Sequence, residues 1–140
     1  MLKTAVIGVG YLGRFHAQKY VILDESELIG VVDVDKERGE KVAQELGVEF
    51  YEDFNDILDK VDAVSIVVPT IHHYETAKSF LEKGVHVLLE KPFAASIEEA
   101  EVLESLSREK NICLQIGHLE RFNPVFTEFE QIINNPKFIE

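Results

Sequence analysis

Gly8-Val9-Gly10-Tyr11-Leu12-Gly13 is the stretch whose reading decides the fold. It spells G-x-G-x-x-G. Before it runs the apolar Ala5-Val6-Ile7, and after it comes a predicted helix carrying Leu12, Phe15, Tyr20 and Leu23. A glycine triplet alone says little; a triplet that follows a strand and opens a helix has a chemical purpose. Gly8 permits the tight turn, Gly10 lets backbone approach a diphosphate with no Cβ in the way, and Gly13 lets helix and strand pack closely. The free N–H groups and the dipole of the helix start then face phosphate charge.

Outward from that loop, Asp33 ends the second apolar run, 20 residues beyond Gly13. At that spacing a carboxylate accepts hydrogen bonds from the hydroxyls of an adenosine ribose. The competing reading is a helix cap, a task Asp35 serves equally well. Carboxylates at Asp33 and Asp35 repel a 2′-phosphate, while Lys36 and Arg38 nearby offset the repulsion in part. The balance favours NAD over NADP.

Short apolar runs alternate with amphipathic stretches, the pattern of β-α-β units. Strands are predicted at 4–8, 28–33, 49–51, 63–68, 85–90 and 112–116. Runs such as Val64-Ser65-Ile66-Val67-Val68 and Val85-His86-Val87-Leu88-Leu89 are apolar at both alternating positions, as strands covered on two faces require. Leu46-Gly47 and Lys83-Gly84 read as glycine-closed helix ends. Ser96-Ile97-Glu98-Glu99 reads as a capping box, with Ile97, Ala100, Leu103 and Leu106 on one helix face. Glu98, Glu99 and Glu101 then form a solvated first turn. Asn123-Pro124 reads as the start of a further helix that turns Phe126, Phe129 and Ile133 inward. Six strands joined by right-handed crossovers make an α/β, doubly wound parallel sheet, the Rossmann architecture.

Composition bounds the possibilities. Net charge is −12, from 26 acidic against 14 basic side chains. The acids are spread along the chain and no basic stripe interrupts them, which argues against nucleic acid and anionic lipid as partners. No apolar run is long enough to span a bilayer. The lone Cys113 excludes an internal disulfide and suits a reducing cytoplasm, and the start at Met1-Leu2-Lys3-Thr4 runs directly into a core strand, without a signal peptide.

The fifth strand ends in Glu90-Lys91-Pro92, where the lysine's ammonium is aimed at the crevice beyond the strand ends and proline fixes the turn. The fourth ends in Pro69-Thr70-Ile71-His72-His73. The run Pro69-Thr70, His73 and Ala77, then Gly84, His86-Val87 and Glu90-Lys91-Pro92, resembles the glucose-fructose oxidoreductase/inositol dehydrogenase (Gfo/Idh/MocA) family, as do the glycine loop and Asp33. The resemblance covers essentially the whole chain but only the first half of a typical member. It implies NAD-dependent interconversion of a hydroxyl and a ketone on a sugar or nucleotide sugar. It assigns Gly8, Gly10, Tyr11, Leu12 and Gly13 to the pyrophosphate, Asp33 to one ribose, and Val68, Pro69 and Thr70 to the other. It places His73 near the cofactor edge, turns Glu90 and Lys91 toward nicotinamide and substrate, and makes Lys91 the catalytic residue. The family's partner acid/base lies in a second domain. Residues 1–120 are then the dinucleotide-binding domain, and 121–140 a connecting helix and the start of a truncated C-terminal domain. This chain alone is then inactive, and a homo-oligomer is expected of the full-length protein.

The segment from Gln115 to Pro124, with Gly117-His118-Leu119-Glu120-Arg121, resembles a branch acting on nucleotide sugars, including 3-dehydrogenases of UDP-N-acetylglucosamine type; His118 and Arg121 are its candidate substrate contacts. Other histidines have plainer readings. His72 reads as a cap or satisfied polar group, His86 as packed strand, and His16 as structural. No metal site is expected, since adjacent His72 and His73 diverge on a helix and no thiol cluster accompanies them. For Lys91 the plainer reading is a salt bridge with Glu90 or a helix carbonyl. The rival function is a non-catalytic dinucleotide-binding sensor or regulatory module on the same fold.

Overall fold

The computed structural model of the chain describes residues 1–126. Strands β1 (Leu2–Ile7), β2 (Ser26–Val32), β3 (Glu49–Tyr51), β4 (Ala63–Ile66), β5 (His86–Leu89) and β6 (Leu114–Ile116) alternate with helices α1 (Tyr11–Ile22), α2 (Lys36–Leu46), α3 (His73–Glu82) and α4 (Ile97–Lys110). The six strands form one parallel sheet in the order β3-β2-β1-β4-β5-β6. The order reverses between β1 and β4, which opens a crevice at their carboxyl ends.

Alternation along the strands divides the core in two. Ala5, Ile7, Val64, Ile66 and Leu89 pack with Phe80, Leu81 and Leu103 of α3 and α4 on one face. Val6, Val31 and Leu28 pack with Ala17, Val42 and Ala43 of α1 and α2 on the other. Each Val, Leu, Ile or Phe among them, once buried, contributes about 1.5–3 kcal/mol, so burial on two faces holds the layers together.

Local chemistry sets the element ends. Asp35 caps α2 by accepting from the Arg38 amide at 3.1 Å, and Gly47 closes it at φ 70°. Ser96 caps α4 through the Glu99 amide at 3.2 Å, while Glu99 reaches back to the Ala95 amide at 3.0 Å. The far end of α4 is closed by Asn111 at φ 55°, a left-handed residue without the usual glycine.

On two helices large apolar residues stand outside the core. On α1 the inward stripe is Gly13 and Ala17, whereas Leu12, Phe15 and Leu23 are 36%, 46% and 48% exposed. Close approach of this helix to the sheet admits only small side chains, which displaces the large apolar ones outward. On α4 Leu103 is buried but Ile97, one position past the cap, is 73% exposed. Past β6, Asn123 accepts from the Val125 amide at 3.1 Å and a helical turn opens at Pro124, yet Phe126 is exposed, not inward. Phe129 and Ile133 lie outside the described residues.

Candidate functional site

The strand ends converge through backbone hydrogen bonds that continue the sheet past its last paired residues. Gly8 N donates to Val32 O at 2.8 Å, Val67 N to Ile7 O at 2.8 Å, Glu90 N to Ile66 O at 3.0 Å, and Gly117 N to Leu89 O at 2.8 Å. Gly8, Val67, Glu90 and Gly117 therefore share one edge, with the turns after β1, β4, β5 and β6 above it.

The glycine loop has the shape its sequence demands. Gly8 adopts φ +86°, and a Cβ there would stand 2.7 Å from Val67 O. A Cβ on Gly13 would stand 1.9 Å from Gly8 O, so helix and loop touch backbone to backbone. Around a Cβ built on Gly10, by contrast, nothing lies within 4 Å. The first α1 backbone bond of the usual i to i−4 type runs from Arg14 N to Gly10 O at 3.1 Å. The amides of Tyr11, Leu12 and Gly13 precede it and have no intrahelical partner. No side chain caps α1 and its first turn holds no acid, whereas α2 and α4 have both. The residues present therefore fit a diphosphate.

Asp33 follows β2 and is buried beside this loop. Its Oδ2 accepts from Val9 N at 2.9 Å and from Arg38 Nε at 3.0 Å; its Oδ1 accepts from Asp35 N at 2.9 Å and from Arg38 Nη2 at 2.7 Å. Burial pushes the carboxyl up. The hydrogen bonds from Arg38, Asp35 and Val9, with Arg38's charge, outweigh it and hold the group below the usual carboxylate range. Cap and ribose readings thus separate: Asp35 caps the helix, and Asp33 tethers the helix start to the glycine loop.

At the other side of the crevice Val68 and Thr70 are half-buried and Pro69 exposed. His73 is 1% exposed, and its ring bridges two turns, with Nδ1 2.9 Å from Pro92 O and Nε2 2.9 Å from Val68 O. Sequence reasoning expected it at the cofactor edge; the structure puts both ring nitrogens on backbone carbonyls. Glu90, expected to face the crevice, is 5% exposed. Its Oε2 accepts from Lys91 N at 3.2 Å, and its Oε1 stands 3.4 Å from His16 Nε2 without a hydrogen bond. Gly117 makes room for this carboxylate, since a Cβ there would stand 2.6 Å from Oε1. Lys91, at the cis Lys91–Pro92 turn, is exposed, and its ammonium pairs with no group among the described residues. The salt bridge weighed for it is not formed. His118 and Arg121 are exposed just past β6. His72 stands at the N-cap of α3 without a capping bond, and His86 is an exposed strand residue whose Nδ1 accepts from Cys113 N at 3.0 Å.

The His16–Glu90 contact was not legible beforehand. Burial lowers the His16 imidazole, and the Glu90 carboxylate opposes this only in part. For both His16 and Asp33 the folded value lies below the unfolded one, so between those two values the unfolded chain binds more protons than the folded one. Stability should therefore be full above about pH 7 and begin to fall as pH drops through about 6.5, the ordinary histidine value. It should fall again below about pH 4, where unfolded aspartate takes up its proton. Urea midpoints across pH 7.5 to 3.5 test this; His16→Gln should erase the first fall and leave the second. An unchanged first fall in that variant would assign it elsewhere.

Comparison with known proteins agrees with this geometry. Residues 2–118 match the family described as "Oxidoreductase family, NAD-binding Rossmann fold". UDP-N-acetylglucosamine 3-dehydrogenase of Acidithiobacillus ferrooxidans is 43% identical over 140 residues, which is 99% of this chain and 44% of that protein. Its crystal structure superposes with a TM-score of 0.88 over 94% of this chain and 43% of its own. The scyllo-inositol 2-dehydrogenase (NAD(+)) of Bacillus subtilis is 34% identical over 95% of this chain and 40% of its own length. The scyllo-inositol dehydrogenase of Lactobacillus casei, solved with bound cofactor NAD(H) and scyllo-inositol, is 31% identical with a TM-score of 0.88, over 94% of this chain and 40% of its own. The chain spans less than half the length of these relatives. Glycine loop, buried Asp33, strand order and the Glu90-Lys91-Pro92 turn all lie within the matched span, and the chain belongs to the Gfo/Idh/MocA oxidoreductases, as their NAD-binding Rossmann domain.

Proposed function

We propose that these 140 residues are the dinucleotide-holding half of a dehydrogenase that interconverts a hydroxyl and a ketone on a sugar, with a nucleotide sugar as the favoured substrate class. The observation that carries the reading is the uncapped, acid-free start of α1, with open space over Gly10 and a buried carboxylate tied to the same loop. The 43% identity to a nucleotide-sugar dehydrogenase supports the substrate class.

Bound here, the nicotinamide supplies or accepts the hydride. The protein's own groups do the rest. Gly8, Gly10 and Gly13 shape the cradle, and the amides of Tyr11, Leu12 and Gly13 receive the diphosphate. Asp33 accepts from the adenosine ribose, while Val68, Pro69 and Thr70 flank the second ribose. His73 braces the Val68 and Pro92 turns against each other, so it acts on the cofactor edge through backbone. Glu90 holds the Lys91 amide from below, which leaves the Lys91 ammonium to meet the reacting oxygen. His118 and Arg121 reach the substrate from the turn after β6. Cofactor choice favours NAD, because Asp33 and Asp35 oppose a 2′-phosphate. We place the longer protein in the cytoplasm as a homo-oligomer.

Titration of the chain with NADH, followed by nicotinamide fluorescence, tests the reading. Saturable binding is expected, and Asp33→Ala should weaken it about tenfold or more, the worth of a charge-assisted hydrogen bond. A flat titration of the wild-type chain would defeat the proposal.

A further inference from the structure

Glu90 Oε1 is, among the described residues, the one buried side-chain oxygen or nitrogen without a hydrogen-bond partner. A buried carboxylate oxygen left so is costly, more than a neutral group would be. The amides around it are already taken. Gly117 N donates to Leu89 O, Glu90's own N to Ile66 O, and Lys91 N to the other carboxylate oxygen, Oε2, at 3.2 Å. Gly117 walls one side of Oε1 with backbone alone, since a Cβ there would stand 2.6 Å away. One side-chain donor comes near: His16 Nε2, at 3.4 Å, a small ring rotation short of a hydrogen bond. Both side chains are nearly closed off from water, at 10% and 6% exposure.

The contact joins two parts of the site. His16 lies on α1 one turn beyond Gly13, on the helix whose first amides face the diphosphate. Glu90 follows β5, and its Oε2 holds the Lys91 amide. A carboxylate accepts and does not donate, so His16 serves it only with a proton on Nε2. Burial holds the imidazole below its ordinary value and Glu90 opposes this only in part, so at pH 7 the neutral ring is the donor. Without that donor the carboxylate is kept inside by one amide at 3.2 Å. Its alternative is a turn of the side chain to water. There the adjacent Lys91 ammonium, exposed and unpaired among the described residues, can bind it.

We propose that His16 is a positioning residue of the Lys91 site: its Nε2–H keeps the Glu90 carboxylate turned inward, so that the Lys91 ammonium stays free for the reacting oxygen. This rests on the reading of Lys91 given above and deepens it. The same link ties the helix that receives the diphosphate to the turn that carries the ammonium. Cradle and ammonium then keep a fixed spacing, which hydride transfer at a carbon beside that oxygen requires. A neutral donor of the same reach should serve as well as the imidazole. Taking the charge off Glu90 should make the donor unnecessary.

Acetylation of Lys91 by limiting acetic anhydride, measured by mass spectrometry against the other lysines of the chain, reads whether its amine is paired. Thermal melts confirm that each variant is folded. His16→Leu and His16→Phe remove the donor and keep apolar volume, and either serves if the other does not fold. Labelling should slow about two- to fivefold in them, the scale of an exposed ion pair. His16→Gln, which keeps a neutral N–H donor, should label as the wild type does. His16→Leu combined with Glu90→Gln should also return to the wild-type rate, which a mere loss of packing would not produce. In a chain extended by the part of its relatives that these residues do not match, His16→Leu should lower kcat about tenfold with NADH affinity within about threefold, and adding Glu90→Gln should restore most of the rate. In the wild type itself, the nitrogen NMR shifts of the His16 ring should place the proton on Nε2 at about pH 7.5. A proton on Nδ1 overturns the inference with no variant needed. So does unchanged labelling in the folded apolar variants, or slowed labelling that Glu90→Gln fails to reverse. Wild-type turnover by Lys91→Met overturns the Lys91 reading instead, which separates the two failures.

Discussion

Gly13→Ala should cost the chain about 3 kcal/mol or more of stability, the upper end of what overpacking exacts, and should abolish measurable NADH binding. The added methyl would stand 1.9 Å from Gly8 O and 2.9 Å from Gly8 C, both backbone atoms of the turn that forms the cradle. No rotamer change relieves a backbone clash. Either α1 lifts from the sheet, which uncovers Ala17 and the half-buried Tyr20, or the Gly8 turn shifts, which moves the amides meant for the diphosphate. Gly10→Ala makes the contrast that gives the result meaning. Gly10 lies at φ −63°, an ordinary value, and its methyl would meet nothing within 4 Å. That variant should keep its urea midpoint while losing NADH affinity about tenfold or more, because the methyl fills space the diphosphate needs. One glycine serves fold and ligand together, the other the ligand alone. Equal urea midpoints for Gly13→Ala and wild type would show that the loop is not locked against the helix as described.

These two glycines also mark where sequence reading succeeds and where it stops. Gly8, Gly10, Gly13 and Asp33 are legible because their geometry is local: a strand end, a tight turn and a helix start follow one another within a few bonds. Caps at Asp35 and Ser96 are legible for the same reason. The inward face of α1 was not legible, because periodicity weights large apolar side chains and here the helix comes so near the sheet that the buried stripe is Gly13 and Ala17. Leu12 and Phe15 mimic a core face and stand half in solvent.

Pairings across the chain leave no periodic trace at all. His16 and Glu90 meet although they stand 74 positions apart, and His73 joins the turns after β4 and β5 through carbonyls that any residue would supply. Gly117 held a clue: a glycine just past a strand marks a close approach, here by the Glu90 carboxylate. Arg38 stands five positions beyond Asp33, near enough for the sequence to suggest charge compensation but silent on a two-pronged clasp.

Lys91→Met should lower kcat about 10²- to 10³-fold, the range lost when one donor to a developing oxyanion is removed, with NADH affinity within about threefold of wild type. The assay needs a chain long enough to include the part of its relatives that these residues do not match, with a nucleotide sugar as substrate. Were Glu90 paired with the neighbouring Lys91, an ammonium at this edge would do little. Here the fold separates them: Glu90 points inward, with Oε2 on the Lys91 amide and Oε1 toward His16 and Gly117. Burying that carboxylate is costly, and what results is an exposed ammonium with no partner among the described residues, at the end of β5 on the edge shared by the glycine loop. Methionine keeps much of the length and removes the charge, so binding of the dinucleotide, held on α1 and Asp33, should be untouched. The loss should appear in kcat more than in KM, since the ammonium is worth most when charge develops on the oxygen it faces. Lys91→Arg should recover part of the rate, its planar head being a poorer fit to a single oxygen. Turnover by Lys91→Met within tenfold of wild type would mean the free ammonium stands aside from the chemistry, and that the inward turn of Glu90 serves the sheet alone.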